Sequence, residues 1–122
     1  MKSMKVFMSL AVACLLGATA AVSGYSAAAQ KKGGAQSQVA RGREVYTSSC
    51  VRCHGADGAG HTRLAEIVEP PDMTDPAWQR QRSTARMIAS VSNGRGQMPA
   101  FKKKLSRQDI AAAVAYVRTL KR

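Results

Sequence analysis

Cys50-Val51-Arg52-Cys53-His54 is the stretch from which the rest of the chain can be read. It has the form C-x-x-C-H, with two thiols three positions apart and an imidazole immediately after the second. Thiols at that spacing can add to the two vinyl groups on one edge of a porphyrin. The next residue, an imidazole, then lies close enough to the ring centre to ligate iron axially. Three other chemistries use similar residues. A thioredoxin-like C-x-x-C needs a βαβ setting, and no strand pattern surrounds this one. A structural zinc site needs four ligands. Cys50, Cys53, His54 and His61 could nominally supply them, but two ligands in adjacent positions fit a tetrahedron poorly. A disulfide across two intervening residues is strained. Attachment of a c-type haem is the reading that fits.

Upstream of the motif, Val39, Gly42, Tyr46 and Ser49 fall on one helical face, which predicts a helix from about 39 to 50 leading into Cys50. Downstream, Gly55-Ala56-Asp57-Gly58-Ala59-Gly60 is a loop by its glycine content. Glu69-Pro70-Pro71-Asp72 should be extended, because each proline disfavours a helical residue before it. Ser83 can cap a helix over 84–92 with Met87, Ile88 and Val91 on its apolar side, and Asn93-Gly94 ends it. Arg95 to Lys104 reads as a loop. In the last helix Ser106 and Asp109 form an acidic variant of the capping box, and Ile110, Ala113, Val114, Val117 and Leu120 make the apolar face. No strand, internal repeat, Walker or Rossmann pattern stands out. The fold class is therefore all-α with long connections, and long connections in a small domain usually wrap something.

The 122 residues are enough for one domain. Lys2 and Lys5 precede an apolar run from Val6 to about Val22, which closes on Ala27-Ala28-Ala29. That is the layout of a secretory signal peptide over residues 1–29, cleaved after Ala29. The rival is a retained anchor, which Gly17, Thr19, Ser23 and Gly24 weaken. Cys14 stands too early, with apolar residues after it, for a lipoprotein site. Residues 30–38 (QKKGGAQSQ) read as a disordered lead-in, and 39–122 as the domain. Nineteen Lys and Arg against seven Asp and Glu give the chain a net charge of +12. Residues 30–122 keep seventeen of those bases and all seven acids, a charge of +10. Such a balance excludes an acidic binding protein and suits a negatively charged partner. Export separates the chain from nucleic acid, the first partner a basic protein suggests. Tyr46, Trp78, Phe101 and Tyr116 are the aromatics left after residue 29. A core so poor in large side chains needs a cofactor to fill it.

A six-coordinate haem needs a second axial ligand, and Met73, Met87, Met98 and His61 are the candidates. Met87 lies on the apolar face of a helix, where methionine is commonly filler. Met73 follows the Pro-Pro turn and could pack on the ring. His61 sits in the glycine loop and would have to fold back. Met98 stands in Asn93-Gly94-Arg95-Gly96-Gln97-Met98-Pro99, where glycines permit close backbone approach and the proline stiffens the following residue. It is the favoured ligand.

Taken together, these pieces resemble the class I family of bacterial monohaem c-type cytochromes over roughly residues 39 to 121. The likeness rests on Gly42 and Tyr46, Cys50 to Gly55, Asp57 to Gly60, Asn93 to Phe101, and the terminal Ala115-Tyr116-Val117. The resemblance implies a bundle of three to five helices around one covalent haem, with His54 proximal and Met98 distal. It also implies that Gly42 and Tyr46 cross the last helix at Ala112, Ala113 and Tyr116. A proline carbonyl, from Pro70 or Pro71, would orient the proximal imidazole, although Glu69 departs from the small residue expected before it. Trp78 resembles the aromatic that contacts a haem propionate.

The function expected is that of a soluble periplasmic one-electron carrier, since His/Met ligation leaves no open position for a substrate. No paired carboxylates or nucleophile constellation suggests an enzyme. The alternative is an electron-accepting haem subunit held by a periplasmic dehydrogenase or oxidase. A haem sensor or peroxidase-like protein would require Met98 to leave the metal. Arg95 and Lys102, Lys103 and Lys104 flank the Met98 loop, and the partner expected there is an acidic redox protein.

Overall fold

The computed structural model describes residues 23–122. The first and last helices cross because each carries small residues where their backbones meet. α1 spans Ser23–Ser49 and α6 spans Arg107–Thr119. A Cβ added at Gly42 would stand 1.9 Å from the Ala112 carbonyl oxygen and 2.9 Å from Tyr116 Cβ, so a residue without a side chain is required there. Beside this point Tyr46 is 1% exposed and sets its ring against Tyr116, with centroids 5.2 Å apart and planes tilted by 57°. That is the range in which aromatic pairs attract. The crossing implied by the resemblance is formed, and Ile110, Ala112, Ala113, Val114 and Val117 bury the rest of the α6 face.

α6 begins as its sequence predicts. The Ser106 hydroxyl accepts from the Asp109 backbone N–H at 3.0 Å and donates to the Asp109 carboxylate at 2.8 Å. α5, Thr84–Asn93, is capped by Ser83, whose hydroxyl accepts from the Arg86 N–H. Gly94 ends it with φ +78 and donates its N–H to Ser90.

Elsewhere the structure differs from the sequence expectation. Residues 30–38 are helical, not a disordered lead-in, because α1 extends through them. Alanine, glutamine and lysine are good helix formers, and extending an established helix costs far less than starting one, so Gly33 and Gly34 do not stop it. Three short helices were not expected as separate elements: α2, Val51–His54; α3, Ala65–Val68; and α4, Pro76–Gln81. The described residues hold six helices, of which α2 and α3 are single turns, so the expected small bundle of helices stands. Glu69 is not extended. It adopts φ 46, ψ 56, which ends α3 and keeps the residue before Pro70 out of the right-handed helical region by the left-handed route.

Among the described residues there is no named strand, only an isolated bridge between Arg95 and Met98. None of their helices is long and apolar enough to cross a membrane. Most of the signal segment expected over residues 1–29, Cys14 included, lies outside the described residues.

α4 is fastened to α6 by a buried polar network. The Gln79 amide donates to the Met73 carbonyl at 2.7 Å and to the Val117 carbonyl at 2.9 Å. Arg118 donates to the Gln79 backbone carbonyl and side-chain oxygen at 2.6 and 2.9 Å, and also to the Arg82 carbonyl. Every polar atom of the Gln79 side chain that needs a partner inside the protein has one, so burial costs it little.

Candidate functional site

The loops and short helices leave a cavity of about 850 Å³ between α2, α3, α5 and the 94–101 loop. Its size lies in the range of cofactor sites. Cys50, Cys53 and His54 line one side, and Met98 and Pro99 line another. Pro70, Pro71 and Trp78 also line it, as do Leu64, Val68, Met87, Val91 and Phe101. Every haem-site residue expected from the sequence therefore borders a single space.

Local backbone explains how each arrives there. The Cys50 N–H donates to the Tyr46 carbonyl at 2.8 Å, continuing α1, and the His54 N–H donates to the Cys50 carbonyl at 3.0 Å. The motif is thus one helical turn laid on the end of α1. The Tyr46 hydroxyl donates to the Gly55 carbonyl at 2.7 Å and clamps the end of that turn. Burial pushes the Tyr46 phenol well above its usual range and the Cys50 thiol up to about 11, with Cys53 a smaller contributor to the second shift.

The thiols are free, so the strained disulfide is not formed. His54 is kept neutral by burial, which lowers its pKa, and a neutral imidazole is the form that binds a metal. Its Nδ1 is buried and has no hydrogen-bond partner. The proline carbonyl bond that the resemblance implies is therefore not made, although both prolines border the cavity. A buried nitrogen left unpaired normally costs ~1–3 kcal/mol. Two free thiols beside a buried neutral imidazole, in a largely apolar cavity, are a donor set that fits a haem.

The zinc alternative finds no support. Among the described residues no group of three or more His, Cys, Asp or Glu side chains could hold a metal ion. His61 is exposed, faces the Asp57 carboxylate at 3.6 Å and does not line the cavity.

The Met98 loop is shaped by local pairing. Arg95 and Met98 exchange backbone hydrogen bonds at 3.0 and 2.9 Å, and the N–H groups of Phe101 and Lys102 return to α5 at Val91 and Ser92. A Cβ at Gly94 would meet the Met98 carbonyl oxygen at 2.7 Å, so the glycine supplies both the turn and the room for it. Met73 and Met87 also border the cavity, 6% and 7% exposed respectively, with Met73 packed on Tyr46 and Val117.

The charge around the cavity is carried by arginine. Arg95 lines it as expected, together with Arg52, Arg82 and Arg86, which the sequence reading did not single out. Arg82 and Arg86 follow Arg52 by 30 and 34 residues, so no local spacing gathers the three to one cavity. Lys102, Lys103 and Lys104 are exposed but do not line the cavity, and the Lys102 ammonium turns to the Asn93 side chain at 3.2 Å. Glu69 is the one carboxylate in the lining. Ile67, 68% exposed, stands on α3 beside the same opening.

Comparison with known proteins follows the same outline. Residues 37–117 match the family described as cytochrome C oxidase, cbb3-type, subunit III. The chain is 34% identical to the cbb3-type cytochrome c oxidase subunit FixP of Bradyrhizobium diazoefficiens, over 66% of this chain and 27% of that protein. It is 33% identical to cytochrome c6 of Leptolyngbya boryana, over 64% of this chain and 87% of that one. A solved structure, the KustC0563 c-type cytochrome, superposes with a TM-score of 0.63 at 34% identity, covering 66% of this chain and 98% of that one. The chain thus spans under a third of the length of the oxidase subunits it matches, and most of the length of this cytochrome c6.

Proposed function

This chain belongs to the c-type cytochromes, in the family described as cytochrome C oxidase, cbb3-type, subunit III, and from that membership we propose a periplasmic one-electron carrier with one covalent haem c. Cys50 and Cys53 would supply the thioether links, His54 the proximal ligand and Met98 the distal one. The observation that carries this reading is that all four border the same cavity. When bound, the haem supplies an iron that alternates between ferrous and ferric states.

The protein's own residues do the rest. His54 stays neutral in its buried place and offers a lone pair instead of a charge. Leu64, Val68, Val91, Phe101 and Val114 give the cavity apolar walls suited to a porphyrin's faces. Met98 is favoured over Met73 because Met73 is built into the core against Tyr46. It is favoured over Met87 because Met98 sits on a loop whose backbone is fixed by paired hydrogen bonds. If His54 and Met98 both hold the iron, no position would be left for a substrate, which suits electron transfer.

Intact mass and the absorption spectrum of the purified full chain test this directly. One haem mass added to the polypeptide and a six-coordinate spectrum are expected. A polypeptide of unmodified mass would sink the proposal.

Docking of an acidic redox protein is the partner reading. Exposed Arg52, Arg86 and Arg95 at the opening support it, with Ile67 as an apolar contact beside them. Lys102, Lys103 and Lys104 would add longer-range attraction from outside the rim. Electron transfer to an acidic partner should slow several-fold between low and physiological salt, because such steering is screened over a Debye length of ~8–10 Å. A rate indifferent to salt counts against this docking surface.

The second reading, an electron-accepting haem subunit of an oxidase, is favoured by the family match and by the FixP relative. Co-purification with a larger catalytic chain would separate it from a free carrier.

A further inference from the structure

The 94–101 loop is anchored at its base but has a single tether at its tip. At the base, the N–H groups of Gly94, Phe101 and Lys102 bond to Ser90, Val91 and Ser92 of α5. At the tip, the Gln97 side-chain amide crosses the opening and donates to the Ile67 carbonyl at 3.3 Å. Among the described residues it is the one hydrogen bond between this loop and the α3 wall. Its acceptor is well chosen. Ile67 lies in the last turn of α3, where carbonyls find no donor within their own helix. Glu69 ends the helix there by turning left-handed, so the chain cannot continue and supply one.

We propose that Gln97 is a positioning residue, a clasp that holds the Met98 loop closed over the cavity by capping the free end of α3. The proposal rests on Met98 being the distal ligand. Breaking the clasp frees the loop tip while leaving its base and the helices in place. Met98 then spends more time away from the metal, and an external ligand gains access. The side chain is exposed, so its removal leaves no hole in the core. A single neutral hydrogen bond contributes about 0.5–1.5 kcal/mol net, which sets the effect at roughly two- to tenfold.

The test uses the full haem-loaded chain and two readouts, carbon monoxide affinity of the reduced protein and hydrogen exchange of the Met98 amide. Gln97→Leu, which keeps the bulk and loses the donor, should raise both affinity and exchange rate two- to tenfold. Gln97→Lys, which keeps an N–H donor with sufficient reach, should stay within twofold of the unmodified protein. If Gln97→Leu leaves both readouts unchanged, or Gln97→Lys behaves like Gln97→Leu, the clasp is wrong. Met98→Ala serves as the reference and should raise carbon monoxide affinity far more than Gln97→Leu does. Should Met98→Ala bind carbon monoxide no better than the unmodified chain, the ligand assignment falls, and the Met98 amide exchange alone decides the clasp.

Discussion

Gly42 and Gly94 are both indispensable glycines, and they protect different things. Gly42 sits in the middle of a regular helix, where its backbone is ordinary and only its missing side chain matters. The atoms it would strike are the backbone of α6, which cannot move without opening the crossing. Gly94 sits where α5 ends, with positive φ, and the atoms nearest its absent Cβ belong to the Met98 loop. One glycine therefore guards the whole fold and the other guards the shape of one loop. A small protein of this kind can be damaged globally at its helix crossing or locally at its ligand loop.

Substitution should separate the two. Gly42→Ala has the largest expected effect, because a Cβ at 1.9 Å from backbone must push the helices apart. Overpacking of this kind costs about 3 kcal/mol or more, at the upper end of the usual range. For a domain of this size that lowers Tm by roughly 12–24 °C, measurable by circular dichroism of the haem-loaded protein. A loss below about 1 kcal/mol would mean that the crossing is looser than described.

Tyr46→Phe probes the same region more gently. It removes the donor to the buried Gly55 carbonyl and keeps the aromatic pair with Tyr116, at an expected ~1–3 kcal/mol in denaturant unfolding. Because that bond clamps the C-x-x-C-H turn, the same variant links the crossing to the site. Gly94→Ala should have the smallest effect on global stability, about 1–2 kcal/mol from the positive φ. If Met98 is the distal ligand as proposed, the variant's signature should instead be local, a weakened ligation visible in the spectrum while helix content stays unchanged. If Gly94→Ala unfolded the protein as readily as Gly42→Ala, the distinction between the two regions would collapse.

Much of this was legible in the sequence for a physical reason. Cys50 to His54, the Ser106–Asp109 cap and the Asn93-Gly94 stop all act over five residues or fewer, so spacing alone carries them. The Gly42 crossing was implied only by resemblance, since nothing local says which helix a glycine will meet. α4 was missed although Asp75-Pro76 announces it, with the carboxylate accepting from the Ala77 N–H and proline at the first helical position. The Gln79–Arg118 network could not be read, because its partners are 39 residues apart and neither pattern nor propensity pairs them. Residues 30–38 misled by composition, since their two glycines weigh less than attachment to an already formed helix. The cavity arginines were hidden for the same reason as Gln79, being gathered from three separate segments.

The Gln79–Arg118 network has one more consequence. It fixes Met73, Arg82 and Val117 to each other through carbonyls that each accept a side-chain donor. Dipoles held so firmly cannot turn when a charge appears or vanishes nearby. Fast electron exchange needs little movement between the two oxidation states, and fixed polar groups spend nothing on reorienting at the moment of transfer. The bolt between α4 and α6 should therefore serve speed as well as stability, by leaving few polar groups free to rearrange.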